Sequence, residues 1–367
     1  GDNPLQLILG NPQAGRSGII TGSGTISANN FDLYEGSIAA GLVTSAGNTD
    51  LDKMGPGTVT LSGDNSGLTS TGRTRIIQGN LILDYTGDTN QKISNGNSSE
   101  LEMRGGTLTL NGHASTAVIE DIGVTGTGND QLRLNDGDGY NVVTLNNNGG
   151  DIGLRFGQIV RGQSDGTILF DLSNAGTSSA TNGVITDEGN SSSGVLDSTA
   201  NSNRAYALVR DTTGEIGFAT NSGGGANGNI GALASSTKND ITSWASGDHV
   251  TDSSGFTGSS TTSNINSLRF DAAADSTVNV TALGIASGGI LITDDATSGT
   301  QSITGSTLDS SAENIIVHNY GTNTFEIGSE ILGTDVLTIS GTGTTRLTGN
   351  YDSTGNVVVW GGTLETN

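Results

Sequence analysis

A short glycine-led unit recurs along this chain, and its recurrence limits the possible fold more than any other feature. Gly57-Thr58-Val59-Thr60-Leu61-Ser62-Gly63-Asp64-Asn65 is followed by Gly79-Asn80-Leu81-Ile82-Leu83. Gly106-Thr107-Leu108-Thr109-Leu110 repeats the unit, and Gly24-Thr25-Ile26-Ser27 is a looser copy. Gly343-Thr344-Thr345-Arg346-Leu347-Thr348-Gly349-Asn350 and then Gly362-Thr363-Leu364 replay it. In the clearest stretches the copies are spaced by roughly 20 to 27 residues, the window of repeats that bury their apolar face only against neighbouring copies. Each copy alternates apolar and polar positions, which is the period of a strand.

Helical signals are nearly absent. No window keeps apolar residues at i, i+3, i+4 and i+7 for three turns, and Gly, Asn, Ser and Thr interrupt every candidate. The nearest exception, Ala282 to Thr293, reads as a strand because Ile290-Leu291-Ile292 follows directly on Gly288 and Gly289. The expected fold is therefore all-β, a parallel β-helix (solenoid) with loop insertions. Its short strands pair with those of the coils above and below at about 4.8 Å, with Val, Ile, Leu or Thr pointing inward. Its corners need residues that tolerate positive φ, which explains pairs such as Asn95-Gly96, Asn111-Gly112, Asp136-Gly137 and Asn182-Gly183.

Composition supports the same reading. Gly accounts for 59 of 367 residues, about twice the usual share of roughly 7%. Aromatics are only 4%, too few for one large globular core. A thin core of small β-branched side chains remains, and the scarcity of Pro, Glu, Gln and Lys argues against disorder. Coils of about 22 residues would give on the order of 16 of them, a rod of roughly 80 Å. Residues 1–220 read as an N-terminal block carrying a Ser/Thr/Asn-rich insertion at about 172–203. Residues 221–232 read as a Gly-rich seam and 233–367 as a C-terminal block.

Charge and cysteine usage exclude several classes. With 37 acidic and 14 basic residues the net charge is −23, so no basic patch exists to displace phosphate counterions or to dock on anionic lipid. There is no Cys, hence no disulfide framework and no thiolate metal site. No stretch approaches the roughly 18 apolar residues of a membrane span. No charged segment with an apolar core opens the chain at Gly1, so a signal peptide is expected to be absent or removed. The chain stops at Asn367 in mid-repeat, so either a portion of a longer protein or a subunit whose ends meet other subunits is expected.

Residues 55–83, from Gly55-Pro56-Gly57-Thr58-Val59 to Gly79-Asn80-Leu81-Ile82-Leu83, resemble the autotransporter-associated β-strand repeat family, also called passenger-associated transport repeats. Residues 341–364 resemble it again, with Arg346 in place of a usually smaller residue. The resemblance implies a secreted β-helical passenger or stalk at a bacterial cell surface, and the right-handed winding expected here comes from it alone. Nothing near the C-terminus resembles a translocating β-barrel.

Candidate chemistry is sparse. Of the acidic pairs Glu120-Asp121, Asp187-Glu188 and Asp294-Asp295, none converges automatically, because neighbours on a strand face opposite ways. Asp136 and Asp138, in the turn Asn135-Asp136-Gly137-Asp138-Gly139, are the best calcium candidates, since clustered carboxylates and carbonyls suit a hard cation. The competing reading is a solvated corner. His113, His249 and His318 lack the spacing of a zinc site. Trp244 and Trp360, with Tyr140, Tyr206 and Tyr320, offer sugar-stacking rings or, more simply, packing over corners.

These features lead to an expectation of a non-enzymatic extracellular structural protein without a resident cofactor. Head-to-tail stacking of its coil ends would build a homo-oligomeric filament or surface layer. The alternative is a monomeric adhesin stalk that binds a receptor or glycans through insertions such as 172–203 and 245–263. A polysaccharide-processing β-helix is a third reading.

Overall fold

The computed structural model describes residues 6–11, 15–45, 49–69, 72–96, 99–122, 131–134, 139–161, 166–198, 204–312, 314–333 and 336–366. Among them the protein is all-β with long parallel sheets. A three-residue 3-10 turn, Ile241–Ser243, is the sole helical element among the described residues, and no helix there is long and apolar enough to cross a membrane.

The first part of the chain passes repeatedly over the same sides. Face A holds seven parallel strands, from Gln6–Leu9 through Asn30–Leu33, Asp50–Lys53, Arg73–Ile76, Glu100–Met103 and Gln131–Arg133 to Gln158–Val160. After each, the chain crosses to face B, whose strands run from Gly18–Ile20 through Thr58–Leu61, Asn80–Asp84, Thr107–Asn111, Tyr140–Asn146 and Thr167–Asn174 to Ala207–Arg210. A third side, face C, carries Val118–Asp121, Ile152–Phe156 and Gly183–Thr186. The recurring units lie in register as their sequences align, Val59 opposite Leu81 and Leu81 opposite Leu108. The inward column Val59, Leu81, Leu108, Val143, Phe170, Val209 is at most 1% exposed, and each such side chain contributes roughly 1.5–3 kcal/mol.

Corners need a substitute wherever the ladder of backbone hydrogen bonds breaks, and buried asparagines supply it. Asn65 accepts from Leu42 N (2.8 Å) and donates to Lys92 O (2.8 Å), joining rounds on either side of its own. Asn141 accepts from Gly105 N and donates to Thr167 O, and Asn182 accepts from Ile152 N and donates to Ala175 O. The carboxamide acts as a displaced peptide group, so no buried backbone group is left without a partner at these points. Gly79 and Gly362, which open their repeat units, have φ of +76° and +73°, a region costly for other residues.

Two segments differ from the sequence reading. Residues 172–203 contribute the strand Gly183–Thr186 and the buried side chains Leu172, Val184, Ile185, Val195 and Leu196. The segment 221–232 includes most of a hairpin: Ile216–Asn221 and Gly228–Ala232 pair antiparallel with one another. The first also pairs antiparallel with Ala207–Arg210 and the second with Gly183–Thr186. The hairpin therefore closes the last edges of both face B and face C, and parallel growth stops there.

The second stack, beyond residue 235, has its own core, containing Phe270, Val280, Leu283, Ile290, Leu308, Val317, Phe325 and Ile339. A 17-residue strand, Ser276–Ile292, forms three sides of one round by itself. Its beginning pairs with Gln301–Thr304, its middle with Thr307–Asp309 and its end with Asn314–Asn319. Later rounds end at Thr363–Thr366, Tyr351–Ser353 and Val357–Val359.

The expectation of one continuous rod does not describe the arrangement, because the second stack folds back along face B. Moving down it, Ser287 O accepts from Ala205 N (3.1 Å) and His318 Nε2 bonds Ala205 O (2.7 Å). Ser340 Oγ then meets Thr167 Oγ1 (2.6 Å), and a methyl built at Gly361 would lie 3.3 Å from Tyr140 Cβ. Rising numbers in one stack meet falling numbers in the other, so the two run in opposite directions side by side. A shared apolar layer of Leu169, Leu208, Phe218, Leu291 and Tyr320 fills the junction.

Candidate functional site

The most charged surroundings in the described residues lie inside the first stack, on its face A, and at the junction. Inside, Lys53 stands in the otherwise apolar column Leu33, Lys53, Ile76, Met103. Its ammonium donates to Met54 O (3.1 Å), Gly55 O (2.8 Å) and Gln78 O (2.9 Å), closing a corner with a positive charge. Burial presses its pKa down to about 8, against a smaller upward pull from Glu35.

A second buried group joins three successive rounds. Glu120 accepts from Tyr85 Oη–H and from the backbone N–H groups of Lys92 (3.0 Å) and Ile93 (2.9 Å). Lys92 donates to Gly63 O (2.9 Å) and Asp88 Oδ1 (2.6 Å), with its ammonium 5.2 Å from the Tyr85 ring centroid. Burial lifts the Glu120 carboxyl to about 7, although its donors and Lys92 pull the other way. Among the described residues no strand lies between Asp84 and Glu100, and this network anchors the segment in place of a ladder. The arrangement holds structure together, joining residues of three rounds through one buried carboxylate.

Face A carries an outward ladder of opposite charges. Arg75 reaches Asp52 (2.6 Å) and Asp50 (2.8 Å), while Arg73 and Arg133 both reach Glu100 (2.7 and 2.9 Å). Opposite charges on adjacent strands contribute roughly 0.2–1 kcal/mol each. They engage three of the chain's 14 basic residues on this one face.

At the junction, Glu215 from the capping hairpin and Asp271 and Asp295 from the second stack bring carboxylate oxygens within 4.8 Å of one another. This grouping has the donor chemistry for a divalent cation. Arg269 lies beside it, bonding Glu215 (2.6 Å) and Asp271 (2.7 Å), and Arg210 reaches Asp294 (2.8 Å). Asp295 is raised above the usual range, by burial first and by Glu215, Asp271 and Asp294 after it. The arginines supply the positive charge that three carboxylates require, which makes the group a clasp between stacks. Only the adjacent pair Asp294-Asp295 gave any hint of it in sequence, because residues 215, 271 and 295 converge only once the second stack folds back.

The residues singled out from sequence are dispersed. Asp136 and Asp138 lie outside the described residues. Glu120 faces the interior while Asp121 faces out to Arg155 (2.5 Å), as alternation requires. Asp187 accepts from Asn227 N, and Glu188 from Ile159 N. His113 accepts from Ser115 N and Thr116 N in a turn, His249 bonds Ser267 Oγ, and His318 is sealed in the junction. Trp244 packs edge-on against Phe256, its Nε1–H donating to Lys238 O (3.0 Å). Tyr140 and Tyr320 bond each other across the junction (3.1 Å), and Tyr206 lies under Arg161. Tyr206, Tyr320 and Trp244 are thus engaged in packing. No family model matches the chain, and no curated protein or solved structure is significantly similar to it.

Proposed function

We propose that this chain is a non-enzymatic, extracellular structural element of a bacterial cell surface, a parallel β-helix folded back on itself that associates with further copies through its open rungs. The right-handed winding and the surface location rest on the repeat resemblance and on the acidic, cysteine-free composition. One observation carries the association. Val357 and Val359 are 43% and 44% exposed, whereas their inward partners one round earlier, Leu337 and Ile339, are fully buried. At the first rounds the outward positions Ile8 and Ile19, level with Asp32 and Ser37 of the next round, are 58% and 71% exposed. Unpaired strand edges with apolar side chains are templates for further pairing.

The direction of the second stack changes the form that such association takes. The terminal rungs of both stacks point the same way, while at the other end of the first stack the hairpin pairs with the last strands of faces B and C. A contact between open ends is then self-complementary and closes as a pair, in contrast to the head-to-tail growth that the repeats alone favour. Negative-stain electron microscopy and sedimentation, with calcium and with chelator, test this. End-to-end pairs that Val359→Asp converts to single particles are expected. Single particles of the unaltered chain at high concentration would remove the proposal, and long filaments would restore head-to-tail growth.

A further inference from the structure

On the middle side of the second stack, the outward positions of three adjacent strands change abruptly in size. Asn264 stands opposite Gly284, and Gly284 opposite Asp309; one step earlier Thr262, Ala282 and Thr307 stand in the same relation. The central strand therefore carries almost no outward side chain, and its neighbours carry polar ones on both flanks. The result is an open trough of about 360 Å³ along the strand. Its floor is Gly284, Ala286 and the backbone, one wall is Asn264 and Asn266, the other is Asp309 and Ser311, and Ser246 from a preceding loop overhangs it.

The lining selects a ligand class. No Lys, Arg or His contributes to it, so an anionic ligand would meet no compensating positive charge there on a chain of net charge −23. Asp309 is its single carboxylate, far short of the 6–8 oxygen ligands that calcium takes. What remains is a set of carboxamides, a hydroxyl pair and one carboxylate. Asn266 Nδ2 is turned away to Gly247 O (3.1 Å) and Ser311 Oγ to Ala286 O (3.2 Å), while Asp309 Oδ1 accepts from Ser310 N. The Asn264 carboxamide leans over Gly284, where a Cβ would collide with its Oδ1. Mixed donors and acceptors above a smooth, weakly apolar floor suit a neutral ring with hydroxyl edges and a C–H face. The volume sits at the low end of the roughly 300–1,000 Å³ of small-ligand sites.

We propose that this trough is a binding subsite for a neutral saccharide, lying lengthwise along the strand with one ring face over Ala286, beside the Asn264 carboxamide that covers Gly284, and its hydroxyls between Asn264, Asn266 and Asp309. It is separate from the open rungs, so the two proposals fail independently.

The test is titration of the whole chain with neutral tetrasaccharides (cellotetraose, maltotetraose, mannotetraose and tetra-N-acetylchitotetraose) and with anionic tetragalacturonate, followed by saturation-transfer NMR and calorimetry. Saturable binding of at least one neutral sugar is expected, with none of the anionic one. Gly284→Val fills the floor with a residue that strands favour, and only the exposed end of Asn264 has to move. It should weaken binding at least tenfold with an unchanged circular dichroism spectrum. Asn264→Ala should weaken it several-fold, and Thr107→Ala on the other stack not at all. Absence of saturable binding by every neutral sugar overturns the proposal. So does full binding by folded Gly284→Val and Asn264→Ala variants, or preference for the anionic sugar.

Discussion

Face B of the first stack is one sheet with two different outer surfaces. Its outward column reads Thr58, Asn80, Thr107, Val142, Leu169, Leu208. The first three are polar, and that side of the sheet is not covered by the second stack. The last three are apolar, and Leu169 and Leu208 are buried beneath it at 5% and 0% exposure. The inward column beside them is apolar throughout, so the difference belongs to docking and not to the rounds themselves. Alternation places a side chain on one face or the other; whether the outer one is apolar records what lies against it.

A charge placed on each half breaks the comparison most severely. Leu208→Asp would bury a carboxylate without a partner and should cost about 3–5 kcal/mol, while Thr107→Asp, partly open to water, should cost under about 1 kcal/mol. Urea unfolding of both variants measures this, and equal losses would mean that the apolar half does not hold the stacks together.

Acid sharpens the same contrast. His318 lies in the covered region, and burial lowers its pKa from 6.5 to about 4, with Arg161 adding to the effect and the bond to Ala205 O opposing it. The folded state therefore binds this proton less readily than the unfolded chain. Its stability is intact above pH 6.5 and falls as the pH drops toward 4, by about 3 kcal/mol. Glu120, inside the uncovered region, has the opposite sign. Its raised pKa means that stability is intact below pH 4.5 and declines as the pH rises through about 7. Unfolding midpoints across pH 4–8 should lose the acid limb in His318→Gln and the alkaline limb in Glu120→Gln. Retention of either limb in its variant assigns that limb to other groups.

The smallest change probes how closely the stacks approach. Gly289 faces Ala205 and the Phe218 ring, where an added Cβ would come within 2.8 Å of a ring carbon. Gly289→Ala should cost about 1–3 kcal/mol through overpacking. A neutral result would show that the junction relaxes without penalty.

The rounds themselves were legible because each Gly-Thr-Leu unit carries its own strand pattern and its own corner glycine. Ala282 to Thr293 was rightly taken as strand, since glycines and β-branched residues there outweigh any helical spacing. The fold-back was not legible. Val142, Leu169 and Leu208 lie in runs such as Thr167–Asn174, where inward and outward positions are both apolar, and such runs say only that both faces are buried. The capping hairpin was hidden for a different reason. Asn221-Ser222-Gly223-Gly224-Gly225 resembles a flexible linker in composition, yet it is a turn fixed by the Asn221 carboxamide, which accepts from Gly223 N (2.8 Å) and donates to Gly225 O (2.9 Å). The clasp of Glu215, Asp271 and Asp295 depends on that hairpin and on the fold-back together, so beyond the adjacent pair Asp294-Asp295 no local signal revealed it.

The spacing between registered partners on face A varies from 20 residues, Phe31 to Leu51, to 31, Leu101 to Leu132, while the inward columns stay aligned. All the surplus is taken up between strands. A gene encoding such a chain can gain or lose several codons at a bend without displacing any neighbouring strand, so this architecture separates the inheritance of its frame from the diversification of what it displays.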